Sequence, residues 1–152
     1  MQRAIEITLN NFLIILQVVL GFVLIRKVSF LAAILFLGYV VFMLGFFLRK
    51  HLCTNCYYFG KACSVGWGWY AKLLFKKKGN YALGGKLAVI TWQVLFAVPI
   101  LFFVLLIVAK RFTVIGPVFL VVGITNFLLH SKQCKKCLQR EKCPIVKRSQ
   151  KR

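Results

Sequence analysis

Acid is almost missing from this chain. Among its 152 residues, Glu6 and Glu141 are the only carboxylates, set against 22 lysines and arginines, for a formal charge of +20. A soluble domain of this size mixes both signs over its surface. An acid–base enzyme built on paired carboxylates would need Glu6 and Glu141 together, and the two stand in unlike surroundings. Without aspartate there is no Ser-His-Asp set, and no glycine-rich phosphate loop is present. Histidine is nearly as scarce, with only His51 and His130.

What is abundant is apolar. The chain is 61% hydrophobic, with a mean hydropathy of +0.81. A helix needs about 20 apolar residues to cross a hydrocarbon core of about 30 Å. Four stretches qualify: Ala4 to Ile25, Val28 to Leu48, Leu87 to Ala109, and Phe112 to Leu129. The first is followed by Arg26-Lys27 rather than by a small-residue cleavage site, so it is read as a retained span and not a signal peptide. No lipidation box is present. Spans one and two are joined by little more than Arg26-Lys27, and spans three and four by Lys110-Arg111. Each pair is expected to form a tight antiparallel hairpin.

Cations set the expected orientation. Arg49 to Lys86 holds eight, the tail from Lys132 holds nine, and the two hairpin turns hold four. Positive loops stay inside, so both termini and the middle segment are expected on the cytoplasmic side of a cell membrane. The same excess suits anionic headgroups better than nucleic acid, which is a disfavoured partner. A cytosolic protein partner is compatible with the basic rim.

Polar residues inside the spans are few. Glu6, Asn10 and Gln17 fall on one helical face, and Asn126 and His130 are i,i+4 neighbours. Such groups usually bond to neighbouring helices, with a substrate or proton path as the sharper reading. Pro99 and Pro117 are expected at kinks or helix ends. The stretch from Trp67 to Lys78 puts Trp67, Tyr70, Leu73 and Leu74 on one face, with Lys72 and Lys76 opposite, the profile of a helix lying in the membrane interface. Gly79-Asn80 and Gly84-Gly85 are expected to break it before span three.

Chemistry concentrates in six cysteines. Cys53, Cys56 and Cys63 form C-x2-C-x6-C, and Cys134, Cys137 and Cys143 form C-x2-C-x5-C. A cytosolic location disfavours stable disulfides. Cysteines two residues apart place two thiolates on one ion, and soft thiolates select zinc or iron–sulfur clusters. Zinc is the leading cofactor, an iron–sulfur cluster the alternative. Two separate Cys3His sites would recruit His51 and His130. Cys143-Pro144 is similar to the ending of ferredoxin-type runs, which normally supply four cysteines at tighter spacing.

The spacing also resembles the Zn2Cys6 binuclear cluster, in which six cysteines hold two zinc ions through bridging thiolates. The likeness covers the cysteines and the basic residues among them, such as Lys61, Lys135 and Lys136. It departs in a last spacing one residue shorter and in two spans between the triplets. It implies that this ligand grammar closes on two metals, and no DNA-binding role. The whole chain resembles small prokaryotic four-span membrane proteins with cytosolic cysteine triplets, a resemblance that implies no activity.

The expectation is therefore an all-α integral membrane four-helix bundle of two tandem hairpins. Residues 1–48 form hairpin one, 49–85 a cysteine-rich segment with an interfacial helix, 86–130 hairpin two, and 131–152 a cysteine-rich basic tail. Function is expected to be that of a scaffold or interaction module around structural zinc. Electron transfer through an iron–sulfur centre is the alternative, and thiol oxidoreduction ranks below it. A transporter ranks last, since four spans with few ionisable groups offer little path.

Overall fold

The computed structural model describes residues 2–61, 63, 65–111, 113–135 and 137. Within them every regular element is helical: α1 (Gln2–Arg26), α2 (Phe30–Phe42), α3 (Leu48–His51), α4 (Trp67–Leu74), α5 (Tyr81–Val108) and α6 (Ile115–Lys135). Four helical stretches are long and apolar enough to cross a membrane: Ala4–Arg26, Phe30–Asn55, Tyr81–Val108 and Ile115–Gln133. Many of their large side chains, among them Leu31, Leu35, Val108 and Phe127, are exposed. In a bilayer those face lipid, which is as apolar as they are.

Helix α1 is the axis of the bundle and packs against α2, α5 and α6. The reason is written in its buried residues, Asn10, Leu13, Ile14, Gln17, Gly21, Leu24 and Ile25, which recur every three or four positions. It meets α6 antiparallel, because Gln17 bonds Asn126 while Lys27, just past the end of α1, reaches Thr113, just before the start of α6. At this hairpin end, Leu24, Leu106 and Phe119 close into a tight apolar cluster. A second cluster of Ile25, Ala33, Phe36, Val40 and Leu95 joins α1, α2 and α5.

Local chemistry sets the ends. Ser29 begins α2, its hydroxyl accepting from the Ala32 N–H at 3.3 Å, and Asn80 begins α5, its side chain accepting from the Leu83 N–H at 3.1 Å. Pro117 sits in the first turn of α6, where its missing N–H costs nothing. Pro99 lies inside α5 and packs beside Gly21 of α1.

Two expectations need correcting. Gly84-Gly85 do not break a helix: α5 starts at Tyr81 and runs through them. A side chain at Gly84 would meet the backbone of His51 and Leu52 at 2.8–2.9 Å, so the glycine permits the close approach of α5 to the end of α3. Glu6 keeps the helical face of Asn10 and Gln17 but is exposed where they are buried, so the packing of that face does not reach the acid.

Candidate functional site

Between α2 and α3 the chain makes a π-turn, Met43–Phe47. The Leu48 N–H bonds to Met43 O, one residue farther back than an α-helix would reach. The Leu44 carbonyl it would otherwise have taken is met at 2.8 Å by Nε–H of Arg49. This turn swings Arg49 inward, a use of π-turns that recurs at functional sites.

Arg49 is only 3% exposed, lies over the Trp67 ring, and leaves its Nη1 without a partner. Among the described residues no carboxylate pairs with it, Glu6 being exposed near the start of α1. A buried cation without a counter-charge is strongly unfavourable. Its charge is felt instead by nearby thiols, Cys53 and Cys63.

Those thiols line a cavity of about 220 Å3, together with Arg49, Trp67, Trp92 and His130. Cys56 and Cys137 line it too. The first triplet and the central cysteine of the second therefore face one space, although the spans Tyr81–Val108 and Ile115–Gln133 separate them in sequence. Cys53-Thr54-Asn55 forms one 3₁₀ turn, closed by the Cys56 N–H on Cys53 O at 3.2 Å. Thr54 hydroxyl donates to Lys50 O at 2.6 Å, and the Asn55 amide donates to Gly79 O. These bonds stitch the first cysteine pair to the start of α5.

Among the described residues, no three histidine, cysteine or acidic side chains are drawn close enough to hold a metal ion directly. Cys143 and the side chain of Cys134 lie outside the described residues.

The two histidines part company. His130 lines the cavity with its ring 5.5 Å from that of Trp92. His51 lies elsewhere: its ring packs 4.7 Å from Phe47, and its Nδ1 accepts from the Asn80 N–H at 3.3 Å.

Sequence reasoning missed three contributors. Arg49 was counted only as a topological cation. Asn11 went unnoticed; its amide donates to Ile7 O and Val65 O at 2.9 and 3.0 Å, and its oxygen accepts from the Trp67 indole at 2.7 Å. Trp67, expected on a lipid-facing helix face, instead turns inward onto Arg49 and Asn11. The other three residues of that face, Tyr70, Leu73 and Leu74, keep the expected exposure, and Trp69 is exposed beside them. The available signal was the adjacency of Arg49 to the first cysteine pair.

No family model, curated protein or solved structure matches this chain. Its chemistry is therefore argued from its own residues.

Proposed function

We propose that the chain is an integral membrane protein whose two cysteine triplets share one metal–thiolate centre of more than one metal ion, with zinc the leading metal. The single observation that carries this is the common cavity: four thiols from both halves surround about 220 Å3 beside a buried arginine with no carboxylate partner among the described residues. A lone tetrahedral zinc draws its thiolates to about 2.3 Å and leaves no space between them. A centre of several atoms needs the room. Thiolates bound to zinc or iron leave such a centre with net negative charge, and that charge is the counterpart Arg49 lacks.

On this reading Cys53, Cys56, Cys63, Cys134, Cys137 and Cys143 are the ligands and His130 is the available nitrogen donor. His51 is already engaged by Asn80. The centre fastens the two halves together on the cytoplasmic face, which the cation distribution assigns to both termini. Lysines 72, 76, 77 and 78 around α4 meet anionic headgroups, and a cytosolic protein is the remaining partner for the basic rim. The role is that of a membrane-bound scaffold or interaction module.

Iron–sulfur electron transfer is the second reading, and the same cavity favours it, since a cluster also requires space among its thiolates. Elemental analysis and a visible spectrum on anaerobically purified protein in detergent separate the two. Two zinc per chain without a visible band supports the scaffold. Iron with matching sulfide and a bleachable band makes this an electron-transfer protein. Metal-free protein with six titratable thiols overturns both and leaves thiol chemistry.

A further inference from the structure

The contact between α1 and α6 changes character with depth. At the thiol end Asn10 of α1 stands about level with Gln133 of α6, and Gln133 and His130 line the cavity; about two turns deeper Gln17 pairs with Asn126, whose amide donates to Gln17 Oε1 at 2.8 Å. Asn10, Gln17 and Asn126 are no more than 1% exposed. Yet Asn10 Nδ2 and Oδ1, Gln17 Nε2, Asn126 Oδ1, His130 Nδ1 and Gln133 Oε1 are buried and have no partner among the described residues. Among the described residues, the one amide-to-amide bond between these helices is that of Gln17 and Asn126.

Leaving a buried polar atom unsatisfied costs about 1–3 kcal/mol. Several together would cost on the order of 10 kcal/mol, comparable with the whole stability of a small domain. Something satisfies them, and their chemistry says what. The amide nitrogens donate, the amide oxygens accept, the imidazole nitrogen does either, and none is charged. An anion would use only the donors and a cation only the oxygens. Water uses both, and needs two to four such partners.

We propose that the α1–α6 seam holds a file of bound water running from the thiol cavity to Gln17 and Asn126, forming a hydrated half-channel. It ends there. Beyond Gln17 the contact is Leu20, Leu24, Leu106 and Phe119, an apolar plug spanning roughly 10 Å along α1 at 1.5 Å per residue. Polar groups return only at Lys27 and Thr113, 3.4 Å apart. Protons at the cavity therefore exchange with the middle of the span but do not cross the membrane. This holds whichever metal, or none, the thiols bind.

The test uses the full chain in phosphatidylcholine–phosphatidylglycerol vesicles with a trapped pH dye, valinomycin and an imposed pH step. Wild-type protein is expected to leave the vesicles proton-tight. Leu24→Ala and Phe119→Ala, made separately, thin the plug and raise proton flux several-fold. Adding Gln17→Leu with Asn126→Leu removes the amides on which the file depends and returns flux to the wild-type level. Plug variants that fold without leaking, or a leak that survives the amide replacement, overturn the proposal. Should the plug variants not fold, side-chain amide exchange of wild-type protein in D2O decides. Exchange of Gln17 and Asn126 within minutes supports the half-channel, whereas protection matching the Leu24 backbone overturns it.

Discussion

The two ends of this bundle solve opposite problems. At the hairpin end, Leu24, Leu106 and Phe119 are at most 3% exposed and fill the space between three helices with side chains that ask for nothing. At the thiol end, Arg49 and Asn10 are buried and Gln133 half-buried, each with a polar side-chain atom unpaired among the described residues, and Arg49 and Gln133 line a cavity. A structure selected only for packing would make both ends alike, because polar groups without partners cost more than any apolar filling. The contrast separates the end that is closed by apolar packing from the end that leaves polar groups around a space.

The strongest way to break that contrast is at its tight side. Phe119→Ala is expected to cost about 3–5 kcal/mol, read from unfolding in detergent. A loss under about 1 kcal/mol would mean the hairpin end is not the packed one.

Arg49→Met sharpens the other side, because its sign depends on the cargo. In metal-free protein, removing an uncompensated buried cation is neutral or stabilising by about 1–4 kcal/mol. In metal-loaded protein the same change strips an anionic centre of its counter-ion and destabilises by about 3–5 kcal/mol. Equal shifts with and without metal would dissociate Arg49 from the centre.

Between the two ends lie the paired amides. Gln17→Leu alone orphans Asn126 and should cost about 1–3 kcal/mol, while Gln17→Leu with Asn126→Leu should be nearly neutral. Additive losses in this double-mutant cycle would contradict the coupling. The smallest effect belongs to the caps, one at each end: Ser29→Ala and Asn80→Ala should each cost about 1 kcal/mol. A much larger loss at Asn80 would show that its link to His51 and the first cysteine pair does more than begin a helix.

The apolar runs were legible because a span is a matter of length and composition, and each of the four expected stretches lies largely within a helix long enough to cross. Ser29 was not foreseen as a cap, and Gly84 was misread as a breaker. Glycine ends a helix or permits close packing with the same sequence signature, and only the neighbour decides. The π-turn had no signal at all, since Met43-Leu44-Gly45-Phe46-Phe47 reads as ordinary span. With it went the inward turn of Arg49. The shared face of Asn10 and Gln17 was legible from their spacing, but not that Asn126 would answer it.

The sequence alone determines that this chain is helical and bilayer-sized, that its charge is one-sided, and that its thiols come in two spaced triplets. These are properties of composition and of the 3.6-residue period, which need no knowledge of neighbours. The tertiary structure decided that α1 is the axis, that His130 and not His51 lines the thiol cavity, and that Cys137 opens on the same cavity as the first triplet. Each of those depends on which helix face meets which. That choice is settled by close packing and polar pairing between residues as far apart as Gln17 and Asn126, where local pattern carries no information.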